Sequence, residues 1–484
     1  MTFSTLNRIS KSFAAFCGIY LLAYLFIYIR GNLFYFGEAI SYEGLLRMVH
    51  GMKFASSPEE IPLSLTPYTP LFLLPLIGLG KAFSITQIET ISVVARLFQL
   101  GLLVTLLGLI NSLRKRFVSD LSSGWAFLWV LIPVFFYSPP MELGLRPDTL
   151  SFLCEAGSVF AMLTFLRQQK NHSLILAALL AGLAISIKLN TLGAAVAISC
   201  FCLFFLDIKR FSIFTSIAAT VVFVALGLQY LFLGETLPQN ILSSIQSTLL
   251  SGSDALRVYM KLLDLFLFPF SYYLFLVVYG LSKFPTKKEK ALFNLVLSFS
   301  FIFALVGQIK WGAFHNYFLG FIYLGLIPAS IGFHQLVTTA DGSKKTALLL
   351  FHFLYITLFM ARGSSIPFKI LQDSAYLSEL NQLRALVEEK APKGYLYTQD
   401  EQLQLAFAHR TAIGVLSQEL LQVTPKLQKH ITNIQEKLRG FPPFSGYIFR
   451  CEDYDRDKVA GMFLIFDDVK RRTKVKTGKY CFFY

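Results

Sequence analysis

Across 484 residues the chain is 55% hydrophobic and only 15% charged, with a mean hydropathy of +0.57, which is too apolar and too long for one soluble core. Its formal charge of +15 is spread as short basic clusters between apolar runs. A nucleic-acid surface gathers Lys and Arg on one face, so this pattern argues against nucleic acid and for a lipid bilayer with basic loops on one side. The first apolar stretch, Phe13–Ile29, has no small-residue cleavage site and is long enough to span, so it is expected to be a retained signal-anchor. Spans are then expected near Lys11–Ile29, Glu89–Asn111, Leu121–Tyr137, Thr149–Leu166, Ser173–Ile187 and Asn190–Leu206. Further spans follow near Phe211–Leu233, Leu262–Leu281, Ala291–Gly307, Asn316–Leu336 and Thr346–Ala361, giving about eleven transmembrane helices.

The segment Pro70–Phe83 decides the topology. At about 1.5 Å per residue it reaches some 20 Å against a hydrocarbon core of about 30 Å. It is expected to lie at the outer surface. With that choice Arg8/Lys11, Arg114–Arg116, Arg167/Lys170, Lys209/Arg210, Lys283–Lys290 and Lys344/Lys345 all face the cytoplasm. The amino terminus is then inside and the carboxyl terminus outside. Residues 1–362 form the transmembrane domain, with an outer loop over 31–88. Residues 363–484 change character: an amphipathic helix with Tyr376, Leu380, Leu383 and Val387 on one face, a strand at Tyr395-Leu396-Tyr397, and a second helix over Ser417–Leu438. Further strands are expected at Tyr447–Phe449, Met462–Phe466 and Tyr480–Tyr484, which makes a small exoplasmic α/β domain. Its two cysteines, Cys451 and Cys481, are free to pair in an oxidising compartment. Four other cysteines lie in apolar runs and suggest no metal framework. HExxH, paired CxxC and GxxxxGK[ST] patterns are absent, so zinc hydrolysis and P-loop ATP chemistry have no sequence support.

Candidate chemistry gathers at the outward ends of the spans. Glu38 and Glu43 stand just past the first one, where an acid beside apolar surface can act as a general base; solvated loop acids are the plainer reading. Tyr68-Thr69-Pro70-Leu71 follows in the same outer loop. Arg146-Pro147-Asp148 abuts the next span, where Arg can clamp a phosphate, or where both charges simply cap the helix. Lys188 interrupts an apolar stretch, and Lys310 precedes His315-Asn316-Tyr317-Phe318. Charges at membrane depth tend to face partners or a polar cavity, although Lys also snorkels to the interface without function.

The order of these pieces resembles the glycosyltransferase C superfamily, specifically the bacterial relatives of the protein O-mannosyltransferases and the lipid A aminoarabinose transferases. The likeness rests on Glu38 and Gly51 in the first outer loop, Tyr68-Thr69-Pro70-Leu71, Arg146-Pro147-Asp148 and Gly312…Asn316-Tyr317-Phe318. It implies a polytopic membrane glycosyltransferase that moves a sugar from a polyprenyl-phosphate donor to an acceptor hydroxyl, with inversion, on the exoplasmic side of a bacterial inner membrane. The acceptor would be a glycolipid, a glycan or a protein. Glu38 would be the base, with Glu43 the alternative, because Gly37-Glu38 replaces the family's Asp-led pair; Asp148 would be a second polar residue of the site. Arg146, Lys188 and Lys310 would neutralise the departing phosphate, with Tyr68, His315 and Asn316 beside it. The resemblance leaves a divalent metal open, since members of the superfamily differ. A secondary transporter or a non-catalytic envelope assembly protein would also be polytopic and basic inside, but no internal repeat of the transporter kind is visible.

Overall fold

The structure, a computed structural model, describes residues 18–20, 22–23, 25–26, 28–29, 36–56, 64, 66, 68–118, 122–137, 144–234, 236–247, 249–250, 252–267, 270–309, 315–363, 376–414, 444–452 and 468–484. Helix α1 (Phe36–Val49) is followed by a 3-10 turn (Pro70–Leu73), α2 (Leu74–Ala82), α3 (Ile88–Lys115), α4 (Ser122–Tyr137), α5 (Asp148–Gln168) and α6 (Asn171–Ile187). Next come α7 (Gly193–Phe201), which runs on as a π-turn (Cys202–Leu206), α8 (Ile208–Leu233), α9 (Thr236–Ser247), α10 (Gly252–Leu267), α11 (Ser271–Leu281) and α12 (Lys287–Gly307). A 3-10 turn (His315–Phe318) leads into α13 (Leu319–Thr339) and α14 (Gly342–Gly363). Among the described residues five helices are long and apolar enough to cross a bilayer: α3, α5, residues Ile208–Leu231 of α8, α12 and α13. The expected span at Leu262–Leu281 is divided between α10 and α11, and the stretch 234–261 between the expected spans is itself largely helical among the described residues.

Helix α13 is the centre of the bundle. Every residue from Leu319 to His334 is buried, as befits a helix that is apolar all round. It packs on α11, α4 and α3, while α5 packs on α6 and α3, and α7 on α12. Gly280 lets α11 approach closely: a Cβ there would run into the Pro328 carbonyl of α13, the close helix contact that small residues permit in membranes. The turn before α12 is fixed by Thr286 as N-cap, its Oγ1 accepting from the Glu289 amide at 3.2 Å and donating to Glu289 Oε2 at 3.0 Å.

The carboxyl-terminal residues form a four-stranded sheet, β1 (Leu396–Thr398), β2 (Gly446–Arg450), β3 (Lys474–Thr477) and β4 (Tyr480–Phe483), in the order β1-β2-β4-β3. β1 and β2 are parallel; the other pairs are antiparallel. Helix α15 (Tyr376–Lys390) covers the sheet with Leu380, Leu383 and Val387, as its spacing predicts, and α16 (Glu401–Ala406) follows β1. The expected helix Ser417–Leu438 and strand Met462–Phe466 lie outside the described residues. Cys451 and Cys481 are disulfide-bonded across a Cα separation of 5.0 Å and a sequence separation of 30. Closing a loop of that length is expected to stabilise the sheet by about 2–4 kcal/mol. Mild reduction should therefore open the carboxyl-terminal segment to protease while the helical bundle stays resistant.

This sheet layer rests on α1 through α16, with Leu405 and Ala408 joining Leu45 and Leu46 in one apolar cluster. At the edge of that contact the rings of His50 and His409 stack with centroids 4.6 Å apart. Burial depresses both imidazoles, and His409, which also faces His50, Arg410 and Arg384, is held at about 4. Because the folded values lie below the unfolded value of about 6.5, the contact is fully formed above about pH 6.5 and weakens as pH falls toward 4. Lower protection against hydrogen exchange in α16 at pH 5 than at pH 7, after correction for the slower intrinsic exchange at the lower pH, is expected, and His409→Phe should flatten that difference.

Candidate functional site

Four segments far apart in sequence meet at one end of the bundle. Lys188 leaves α6 with an extended backbone, and the carbonyls exposed at that helix end are taken up by Thr69, whose hydroxyl lies 2.9 Å from the Ser186 oxygen and 3.0 Å from the Ile187 oxygen. Thr69 thereby ties the Tyr68-Thr69-Pro70 segment to the Lys188 turn. Asp148 is the first residue of α5, where the helix dipole favours an anion, and its Oδ1 accepts from the Lys188 ammonium. The same ammonium stands 4.9 Å from the Tyr317 ring centroid and 5.9 Å from that of Phe152, within cation–π range. Tyr317 is in turn hydrogen-bonded by Asn190.

Arg146 holds its place through its carbonyl, which accepts from Gln99 Nε2 at 2.6 Å. Its Nη1 and the Oδ2 of Asp148 are both buried without a hydrogen-bond partner among the described residues. Burial pushes the Tyr68 phenol up, and the charges of Arg146 and Asp148 act on it in opposite directions. Tyr68, Arg146, Asp148, Lys188 and Tyr317 thus form one polar centre with an unpaired guanidinium nitrogen and an unpaired carboxylate oxygen. A cationic nitrogen of this kind can take a phosphate oxygen, and a carboxylate oxygen beside it can accept a proton. His315 and Asn316 occupy the turn that carries Tyr317, but their side chains lie outside the described residues, as does Lys310. Among the described residues no three His, Cys, Asp or Glu side chains gather as a metal-ligand group.

Glu38 and Glu43 are placed differently from a loop reading. Both belong to α1 and are buried, at 1% and 4% exposure, so neither is a solvated loop acid; Glu59 and Glu60 lie outside the described residues. Glu38 is held by Arg96, with Nε 3.1 Å from Oε1 and Nη2 3.4 Å from Oε2, and the Tyr28 hydroxyl donates to Oε2 at 3.3 Å. Arg96 also donates to the Tyr28 carbonyl at 2.9 Å and lies over that ring. Glu43 instead faces the carboxyl-terminal layer: a Cβ at Gly414 would overlap its carboxylate, and its charge acts on Arg47. Five residues on a helix turn through about 140°, so the two acids face different surroundings. The Glu38–Arg96 pair is one turn of α3 away from Gln99, the residue that holds Arg146.

One acid escaped the sequence reading. Glu155 lies in the middle of α5, 3% exposed, with Oε1 accepting from the Ala194 amide at 3.2 Å. A lone carboxylate inside the apolar run Thr149–Leu166 was its one signal, since charges at membrane depth are costly and rarely idle.

No family model matches the chain, and no curated protein matches its sequence. Solved structures do resemble it. ArnT from Cupriavidus metallidurans bound to undecaprenyl phosphate superimposes with a TM-score of 0.63 at 10% identity, covering 100% of this chain and 98% of that one. The same protein in the apo state gives 0.62 at 12% identity over 98% of each chain. The archaeal oligosaccharyltransferase AglB from Archaeoglobus fulgidus, in complex with an inhibitory peptide and a dolichol-phosphate, gives 0.54 at 11% identity over 96% of this chain and 74% of that one. Both are glycosyltransferases of the C type, and the chain has their fold.

Proposed function

We propose that this chain, built on the glycosyltransferase C fold, is a membrane glycosyltransferase that moves a sugar from a polyprenyl-phosphate donor to an acceptor hydroxyl, with inversion. The observation that carries the reading is the meeting of Tyr68, Arg146, Asp148, Lys188 and Tyr317, from separate segments, around an unpaired cationic nitrogen and an unpaired carboxylate oxygen. The solved relatives bind undecaprenyl phosphate and dolichol-phosphate, which supports a lipid phosphate as the anion that Arg146 and Lys188 await. Asp148 Oδ2 removes the proton of the acceptor hydroxyl as its oxygen attacks the anomeric carbon. The bond from that carbon to the phosphate oxygen breaks, and the electron pair leaves with the polyprenyl phosphate. Arg146 and Lys188 oppose the charge that grows there, the place where fixed charges act most strongly on the rate.

This assignment moves the base from Glu38 to Asp148, because both oxygens of Glu38 are engaged by Arg96 and Tyr28. Glu38 then positions Arg96 and α3, and Glu43 tethers the carboxyl-terminal layer. Lys310, His315 and Asn316 keep, from their place in the chain near Tyr317, the phosphate-side role expected of them. We take the topology to be about eleven spans with the amino terminus inside, the site and the 363–484 domain on the exoplasmic face of a bacterial inner membrane, and a glycolipid, glycan or protein as acceptor. Reporters fused at Lys288 and beyond Arg362 should give opposite signals; equal signals would overturn this topology. Undecaprenyl phosphate binding by native mass spectrometry tests the site itself. Arg146→Met should weaken it by about 10- to 100-fold, the worth of a charged hydrogen bond, and unchanged binding would remove Arg146 from the site.

A further inference from the structure

Beneath the Lys188–Tyr317 contact an open-mouthed cavity, about 340 Å³ of empty space when the mouth is counted, enters the bundle between α5, α7, α12 and α13. Its walls are the rings of Phe152, Phe303 and Tyr317, and its polar groups include Glu155, Lys188 and Ser300. Glu155 sits seven residues into α5, about 10 Å from the helix start. Its Oε1 serves the amino end of α7 through the Ala194 amide, while Oε2 has no hydrogen-bond partner among the described residues. Ser300 Oγ is also buried without one. Two glycines keep this space open. A Cβ at Gly320 would sit 3.1 Å from Glu155 Oε2, and a Cβ at Gly193 would press on Ser300.

An ionised carboxylate accepts hydrogen bonds and offers none, so an oxygen turned to the cavity with no protein donor is open to a donor on a ligand. Aromatic walls with a few convergent polar groups suit a ring that is apolar on its faces and polar at its edge. We propose that this cavity holds the sugar of the donor and that Glu155 selects it, by accepting a hydrogen bond from one ring substituent, a hydroxyl or a protonated amine. The proposal rests on the transferase reading for its choice of ligand. A capping role alone needs Oε1 and leaves Oε2, Ser300 and the two glycines without a purpose.

The test uses Glu155→Gln, in which the side-chain amide oxygen still serves the Ala194 amide but a donor replaces the acceptor facing the cavity. Purified full-length wild type and variant are presented with undecaprenyl-phosphate-linked glucose, mannose, galactose and arabinose, and with single-deoxy and single-amino analogues of each. Binding is read by native mass spectrometry and transfer by release of undecaprenyl phosphate. Wild type should bind one analogue series with about a 10- to 100-fold loss on deletion of a single substituent. Glu155→Gln should reduce that discrimination to within about threefold while sugar-free undecaprenyl phosphate binds as before. Tighter binding of the amino analogue by wild type alone identifies the substituent as a cation; equal binding of the two identifies a hydroxyl. Full discrimination retained in Glu155→Gln, or no discrimination in wild type, overturns the proposal. Glu155-dependent selection without any transfer leaves the sugar site standing and sinks the transferase reading instead.

Discussion

Asp148→Asn is expected to lower sugar transfer by about two to four powers of ten, the range for loss of a general base. Asparagine keeps the size of the side chain and an oxygen for the Lys188 ammonium, but gives up the proton acceptor that Oδ2 supplies. The helix start tolerates asparagine well, so α5 should still begin at this residue. Retention on size exclusion and the thermal midpoint in detergent report whether the fold survives, and transfer is then compared per folded molecule. Glu38→Gln and Glu43→Gln run beside it, because the motif order alone favoured Glu38. A loss confined to Glu38→Gln or Glu43→Gln, with Asp148→Asn active, returns the base to the first outer segment and refutes the assignment made from the structure.

The second large effect concerns stability. Arg96→Met should destabilise the protein by about 3–5 kcal/mol, since it leaves the Glu38 carboxylate buried without its cation. The pair is 1% exposed on both sides, and Arg96 further satisfies the Tyr28 carbonyl; the hydroxyls of Tyr28 and Tyr42 that also reach Glu38 are neutral and do not replace its charge. The double variant Glu38→Gln/Arg96→Met removes the stranded charge and should regain part of the loss, which a double-mutant cycle would read as coupling between the two sites. If Arg96→Met melts like wild type, the pair is not a structural anchor and Glu38 is available for chemistry after all.

What the sequence made legible follows from which forces are local. Tyr68, Arg146, Asp148 and Lys188 stood out because polar residues next to turns interrupt long apolar runs, and each of them reaches the same centre. The strands at Leu396–Thr398, Gly446–Arg450 and Tyr480–Phe483 announced themselves by aromatic and β-branched residues between turn signals. β3 did not, since Lys474 and Lys476 point outward on an edge strand where charge is the usual protection. The burial of Glu38 depends on Arg96, which sits on another helix far along the chain, and no spacing within α1 encodes that partner. Glu155 and Ser300 meet across α5 and α12 for the same reason: their shared cavity is a product of packing around α13, visible once the helices are in place.

The most direct measurement of the central claim follows radiolabelled sugar from a panel of polyprenyl-phosphate donors, with purified protein reconstituted alongside envelope glycolipids, glycans and proteins. The account predicts that wild type consumes one donor, that label leaves the lipid phosphate for an acceptor, and that Asp148→Asn slows this by about two to four powers of ten. Consumption of no donor by wild type, or equal consumption by Asp148→Asn, would contradict it.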